Sequence, residues 1–362
     1  MKKIGILTFH RAINNGAVLQ TYALAKLLNS LGVDAKYIDY TAPKILEDYK
    51  IIPLLKRKSI KSVGVYFLFD LNIMATQNKF RSFVEDNIPL VNLDINSSKE
   101  VKEKFDIVIS GGDQIWNFEL TDYDLTYYLD FADNVDKYSY GTSFGREYFN
   151  EDDKKIISNY LKKYKGLFVR EESGKKIINS LIDNECIVVP DPVFLLTKKQ
   201  WITNLNLSLT NRKDYILFFE LHENSLMREF TYRLSKKYGY KIIRVTNDFF
   251  KIKKMKSVKR TGPIDFLNLI LNAKIVITDS FHAAAFALIF NKDLYIGLKD
   301  GKEAHLNTRI DSLTSMYKIK NQIITRAMKE STIDYSYVNE KIEKERIRGI
   351  GVLKGIVNDT KI

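Results

Sequence analysis

Three places in this chain put chemistry-bearing side chains where a strand-like run hands over to a helical one. Arg170 ends the strand-like run from Gly166 and precedes a helical pattern from Ser173. Ser280-Phe281-His282 follows the strand-like run Ile275 to Thr278 and precedes a helical run from Ala283. Helix N-termini offer N–H donors and a positive dipole end, so both places suit an anion. Arginine adds a planar fork that matches carboxylate or phosphate. Histidine titrates near neutrality and suits proton transfer, although a lone histidine is more often structural. The third place is Asp113, just beyond Gly111-Gly112. A carboxylate there orients hydroxyls or acts as a base; equally, it is an N-cap or turn residue. Gln114, Trp116 and Asn117 extend that loop and suit contact with a sugar, Trp116 being as well placed for plain core. Asn14, Asn15, Gly16 and Gln20 flank the first helix N-terminus, where one Asn is explained by capping and Gly16 lets a ligand approach the backbone. Ser143 and Gly145 read as a tight turn near the same cleft. The Gly111-Gly112 pair is no Walker loop, since no Gly-Lys-Ser/Thr follows.

The elements that must hold these residues alternate. Lys3 to Thr8 is a short apolar run, Ala17 to Leu31 a helical pattern closed by Gly32, and Ala35 to Tyr40 a strand. That βαβ start implies a parallel sheet with helices on its faces. Residues about 44 to 90 break the rhythm and read as a helical insertion. Strands resume at Phe105 to Ser110 and Tyr138 to Ser143, with helices over Glu151 to Tyr164 and Ser173 to Leu181. Asp191-Pro192 marks a boundary. A second series follows: strands at Tyr215 to Phe219, Lys241 to Thr246, Ile275 to Thr278 and Leu294 to Gly297, with helices over Ser225 to Tyr238, Pro263 to Asn272 and Ala283 to Phe290. The expected fold class is α/β, with two Rossmann-like domains over 1–190 and 191–333 and a charged helical tail over 334–362 that packs back on the first. Ligands of such sheets bind beyond the carboxyl ends of the strands.

The 362 residues are too many for one ordinary core. A 45% hydrophobic and 28% charged composition is that of a globular chain. The net charge of +13 favours anionic partners, although a generic basic surface gives the same number. The Lys residues are spread along the chain and no nucleic-acid-binding signature occurs, so nucleic acid is not expected. The one cysteine, Cys186, allows no internal disulfide and reads as a buried small side chain in a reducing compartment. The N-terminal apolar stretch is too short for a signal peptide, and no apolar run is long enough to span a membrane, so a cytoplasmic location is expected.

Four segments together resemble the polysaccharide pyruvyl transferase family. They are Lys3 to Phe9 with Asn14 to Gln20; Ser110 to Asn117 with Tyr140 to Gly145; Val169 to Gly174 with Asp191-Pro192-Val193; and Pro263 to Phe266 running to Asp279-Ser280-Phe281-His282-Ala283 and Asn307-Thr308-Arg309. They occur in the family's order and cover most of the chain. The resemblance implies two domains arranged as in GT-B glycosyltransferases, the active site in the cleft between them. It also implies phosphoenolpyruvate as donor substrate, with no cofactor and no obligatory metal. Arg170 matches the family's donor-site arginine, and Ser280, Phe281 and His282 match its donor-contacting tripeptide. Some members carry Arg where this chain has Ser280, so Arg309 or Arg244 is expected to stand in.

The reading that results is a bacterial enzyme of cell-surface glycan assembly, moving a pyruvyl group from phosphoenolpyruvate to a sugar as a ketal. His282 is the expected acid or phosphate stabiliser and Asp113 the expected base. Asn14, Asn15, Gly16, Gln20, Gln114, Trp116, Asn117 and Ser143 are expected on the acceptor side. A GT-B-type glycosyltransferase using a nucleotide sugar is the alternative, and a non-enzymatic phosphoglycan binder the third reading. Lys56, Arg57, Lys58 and Lys61, leading into the apolar stretch Val63 to Met74, fit docking on an anionic membrane surface, and so a lipid-linked acceptor; an interdomain or dimer helix fits as well.

Overall fold

The computed structural model describes residues 1–48, 63–146, 148–210, 214–246, 252–299 and 307–359, with side chains undescribed over 46–70. Lys56, Arg57, Lys58 and Lys61, on which the membrane expectation rests, lie outside the described residues. The chain divides into two units: Met1–Tyr49, Val84–Leu196 and Glu343–Ile362 form the first, and Lys50–Phe83 with Thr197–Ile342 the second.

In the first unit, strands β1 (Lys3–Leu7), β2 (Asp34–Ile38), β3 (Leu90–Val91), β4 (Ile107–Gly111) and β5 (Asp136–Tyr140) form one sheet in the order β3-β2-β1-β4-β5. Every pairing is parallel, with Ile6 opposite both Tyr37 and Ile109. Strands β6 (Leu167–Val169) and β7 (Cys186–Val188) pair separately, and single bridges tie Gly166 to Tyr138 and Val169 to Thr142. The connections carry helices α1 (Asn15–Ser30), α2 (Pro43–Asp48), α3 (Val63–Asn87, of which the part up to Phe83 belongs to the second unit), α4 (Ser98–Lys104), α5 (Phe118–Thr121), α6 (Glu151–Leu161) and α7 (Glu172–Leu181). Because both faces of a parallel sheet are covered, its strands read as near-continuous apolar runs; Ile107 to Gly111 is buried throughout. The core is aromatic: Trp116 stacks on Tyr128 at 5.7 Å, and Phe118 on Tyr128 at 5.3 Å. Cys186 belongs to that core, and burial pushes its thiol up to about 12.

The second unit repeats the plan. After α8 (Lys198–Asn204), strands β8 (Tyr215–Phe219), β9 (Lys241–Val245), β10 (Met255–Val258), β11 (Ile275–Thr278) and β12 (Asp293–Ile296) lie parallel in the order β10-β9-β8-β11-β12. Helices α9 (Ser225–Tyr238), α10 (Pro263–Asn272), α11 (Phe281–Ile289) and α12 (Thr308–Met316) alternate with them. The apolar stripe of α9, with Met227, Phe230 and Leu234, packs with Phe218 and Ile277 of the sheet.

The last helix, α13 (Tyr335–Asn358), changes unit at Glu343. Its later part is tied into the first unit: Arg348 donates to the carbonyl of Val188, and Tyr138 Oη donates to Asp359 at 3.3 Å. A Cβ on Gly349 would stand 2.6 Å from Tyr140 Oη, so only glycine permits this approach. Three bounds thus differ from expectation. Residues 63–83 of the insertion cluster with the second unit, the unit boundary falls after Leu196, and the tail joins the first unit only from Glu343 rather than from residue 334.

Candidate active site

In the first unit the site is built at the carboxyl ends of β1 and β4. Gly112 has φ of +143°, and a Cβ there would lie 2.5 Å from Thr8 Oγ1, so glycine lets the loop after β4 close onto the end of β1. Gln114 takes the left-handed conformation at φ of +53°, which turns the chain sharply after Asp113. Asp113 and Gln114, with Phe9, Ala12, Asn14, Ala17, Ile45 and Leu120, line a cavity of about 210 Å³. Its wall is part apolar and part amide and carboxylate, the mixture that receives the faces and hydroxyls of a sugar.

Arg170 holds the base of this site. Its backbone N–H donates to Thr142 O at 3.0 Å, fixing it at the end of β6. Its guanidinium donates to Asp113 Oδ1 at 2.9 Å, Glu171 Oε2 at 3.1 Å and Asp191 Oδ2 at 3.3 Å. Burial works against the cation, and the three carboxylates more than offset it, so the pKa of Arg170 is raised. One guanidinium thus gathers three carboxylates, two of them buried. Asp191 is 1% exposed and Glu171 8%, whereas Asp113 is 14% exposed and reaches the cavity.

Beside it the loop from Thr8 to Asn14 is pinned by its own ion pairs. Arg11 donates to both oxygens of Asp39, at 2.6 and 2.5 Å, and His10 Nε2 lies 3.0 Å from Asp39 Oδ1. The hydrogen bond from His10 and those from Arg11 hold the Asp39 carboxyl well below the usual carboxylate range. Asn14 caps α1, its Oδ1 accepting from Gly16 and Ala17 N–H at 2.9 and 3.3 Å. Asn15 Oδ1 and Gln20 Oε1 are buried acceptors that meet no donor. Asn117 caps α5 and donates to Gln114 Oε1 at 3.2 Å.

Two expectations for this loop need correction. Trp116 is 0% exposed and its Nε1 donates to Tyr127 O at 3.2 Å, so it is core and has no face to offer a sugar. Ser143 is likewise wholly buried, its Oγ accepting from Gly145 N–H at 3.3 Å, so it shapes the turn rather than touching an acceptor.

In the second unit the corresponding ends are those of β8 and β11. Ser280 caps α11 through Oγ, which accepts from Ala283 N–H at 3.4 Å, and its own N–H donates to Thr278 Oγ1 at 3.0 Å. His282 is buried, its ring 5.1 Å from that of Phe281. Asp279 folds back on β8: it accepts from Leu221 N–H at 2.7 Å and His222 N–H at 2.9 Å. The same carboxylate lies 3.3 Å from His222 Nδ1, and the His222 side chain is 40% exposed. A carboxylate that orients an accessible imidazole is a common proton-transfer arrangement. His222 was missed in the sequence, yet Glu220-Leu221-His222 directly follows a strand, as do Arg170 and Ser280. Arg309 sits in the first turn of α12, which packs on α11, and Arg244 near the end of β9. The structure thus brings Ser280, Phe281 and His282 together at one strand end, with Arg244 two strands away from β11 in the sheet.

Solved structures repeat this architecture. A protein assigned as a UDP-N-acetylglucosamine 2-epimerase from Listeria monocytogenes aligns with TM-score 0.55 and 11% identity over 100% of this chain and 98% of its own. The UDP-GlcNAc 2-epimerase from Methanocaldococcus jannaschii aligns with TM-score 0.50 and 15% identity over 95% and 92%. At such identities the likeness shows the fold, two Rossmann-like domains of the GT-B type, and nothing of substrate. No curated protein has significant sequence similarity to the chain. The polysaccharide pyruvyl transferase family matches residues 14–293.

The chain belongs to that family. The match begins at the cap of α1 and ends at the start of β12, so it includes Asp113, Arg170 and Ser280 to His282. Membership makes this an enzyme, a polysaccharide pyruvyl transferase, and implies a saccharide acceptor. Among the described residues no helix is long and apolar enough to cross a membrane.

Proposed function

We propose that this enzyme transfers the pyruvyl group of phosphoenolpyruvate to two hydroxyls of one sugar in a cell-surface polysaccharide precursor. The observation that carries the reading is Asp113, a carboxylate fixed by Arg170 at the wall of a sugar-sized cavity in the first unit. Protonation of the donor's methylene carbon gives a methyl group and an electron-poor centre next to it. A sugar hydroxyl adds there and loses its proton to Asp113. The carbon–oxygen bond to phosphate then breaks, phosphate leaving with the electron pair. The second hydroxyl adds in turn, closing the ketal, and its proton goes to phosphate or water.

The donor is assigned to the second unit, at the N-terminus of α11 with Ser280, Phe281 and His282, and with Arg309 or Arg244 for its phosphate, because helix N–H groups and guanidinium forks suit a carboxylate and a phosphate. His222, oriented by Asp279, joins His282 as a proton donor for the methylene carbon. Arg170 is in this reading a positioning residue for Asp113. Its expected contact with the donor requires one of its three carboxylates to give way. A nucleotide-sugar reading would want a free acidic group for a ribose beside Ser280; Asp279 is instead committed to two backbone N–H groups.

Thermal denaturation with millimolar phosphoenolpyruvate, and with UDP-sugars in parallel, tests the assignment, since a ligand of the folded state raises the midpoint by mass action. A rise with phosphoenolpyruvate that disappears in His282→Ala supports it, and phosphate release on adding a saccharide acceptor completes it. A rise with a UDP-sugar alone would sink it.

A further inference from the structure

The cavity that Asp113 reaches restricts its ligand further. It holds about 210 Å³, below the roughly 300–1,000 Å³ of sites for drug-sized molecules, which suits a single sugar residue. Five of the eight described residues lining it are apolar, and they come from four segments: Phe9 and Ala12 from the loop after β1, Ala17 from α1, Ile45 from α2 and Leu120 from α5. The C–H face of a pyranose covers part of such a lining. A sugar whose other substituents are all hydroxyls turns some of them toward the remainder, where they lose water and gain no partner. The polar side of the cavity adds a directed donor. Asn14 is exposed there, and its Oδ1 is committed to the cap of α1, accepting from Gly16 and Ala17 N–H at 2.9 and 3.3 Å. That commitment fixes which way round the amide lies, so its Nδ2 is turned away from those N–H groups. Among the described residues nothing accepts from Nδ2. Water satisfies an exposed N–H as well as a ligand does, so the donor alone names no partner. A donor beside an apolar lining names one: a carbonyl that carries an apolar group.

We infer that the acceptor sugar bears an acylamino group of acetamido size, which rests on the reading above that a saccharide acceptor occupies this cavity. The carbonyl accepts from Asn14 Nδ2, and the methyl takes the apolar lining. One hydroxyl that this lining leaves unpaired is thereby exchanged for a group whose polar half has a donor and whose other half needs none. Two further hydroxyls remain for the pyruvyl group beside Asp113.

Saturation-transfer NMR of the intact chain with matched methyl glycosides tests this without turnover. The pairs are the N-acetylated and the all-hydroxyl sugars of gluco, galacto and manno configuration. In at least one configuration the N-acetylated member should bind about tenfold more tightly or better, with its acetyl methyl the most strongly saturated group. Asn14→Asp and Asn14→Ser each keep an oxygen to cap α1 and remove the N–H donor. Both should bring the preference down to about threefold or less while the melting temperature holds. Equal or tighter binding of the all-hydroxyl member in every pair overturns the inference. So does a preference that survives undiminished in both variants, or the absence of binding by every glycoside. Phosphate release from phosphoenolpyruvate tests the proposed activity by itself. Release supported only by all-hydroxyl sugars keeps the transferase reading and overturns this inference. Absence of release with every acceptor sinks that reading and leaves a measured binding preference standing.

Discussion

The two units present the same sheet order and opposite chemistry. In the first, the carboxyl end of β4 leads to Asp113, drawn with two other carboxylates onto one guanidinium. In the second, the equivalent strand β11 leads to Asp279, whose carboxylate accepts from the N–H groups that follow β8 and lies beside the half-exposed His222, with the buried Ser280 and His282 at the start of α11. The same scaffold thus ends in three carboxylates about one guanidinium in one unit, and in a capped helix N-terminus with two histidines in the other. The strands fix where a site is; the two or three residues after each strand fix what it attracts.

Breaking the first end should have the larger effect. Arg170→Ala leaves three carboxylates without their cation, and is expected to cost about 3–5 kcal/mol in urea denaturation and to abolish turnover. Survival of normal stability would mean the carboxylates tolerate one another, and the contrast between the ends would fail. Asp113→Asn keeps the shape and removes the base. Phosphate release from phosphoenolpyruvate should fall by about 10²–10⁴-fold, while protection by the donor alone persists. At the second end, His222→Ala and His282→Ala should each reduce turnover by roughly 10²-fold or more and shift its pH profile. A His222 variant with an unchanged profile would remove it from proton transfer.

Two matched caps sharpen the comparison at lower energy. Asn14 caps α1 and lines the cavity of the first unit; Asn224 caps α9, accepting from Met227 N–H at 2.9 Å, and does not line it. Each change to Ala should cost about 1 kcal/mol. Only Asn14→Ala should also raise the acceptor KM. The smallest effect concerns acid. The pKa of Asp39 is depressed in the folded chain, so its contribution is present above the ordinary carboxylate value of about 3.9 and is lost as pH falls below it. Asp39→Asn should lower stability at neutral pH and flatten the loss between about pH 4 and 2, read as the urea midpoint across that window.

Much of this was legible in the sequence where local chemistry and global placement agree. Ser225 to Tyr238 and Pro263 to Asn272 carry their periodicity, caps and ends in the chain itself, and the helices have those bounds. β10 was not legible, because Met255-Lys256-Ser257-Val258 is an edge strand with a polar half and lysines before it, and an apolar run is not required there. Asp113 and Arg170 stood out singly as strand-end residues. Their pairing across 57 positions is a product of the fold, and no local pattern encodes it. Trp116 shows the converse limit. An indole in a polar loop suits a sugar and a core equally, and only the aromatic neighbours supplied from Tyr127 to Tyr164 decide for the core.

The last helix has a bearing on how the chain is made. The first unit includes residues 343–359, which leave the ribosome only after the whole second unit has been synthesised. Until Gly349 seats against Tyr140, the early sheet lacks part of its cover. The second unit should therefore be free to mature while the first still waits, reversing the usual order in which domains complete along a nascent chain.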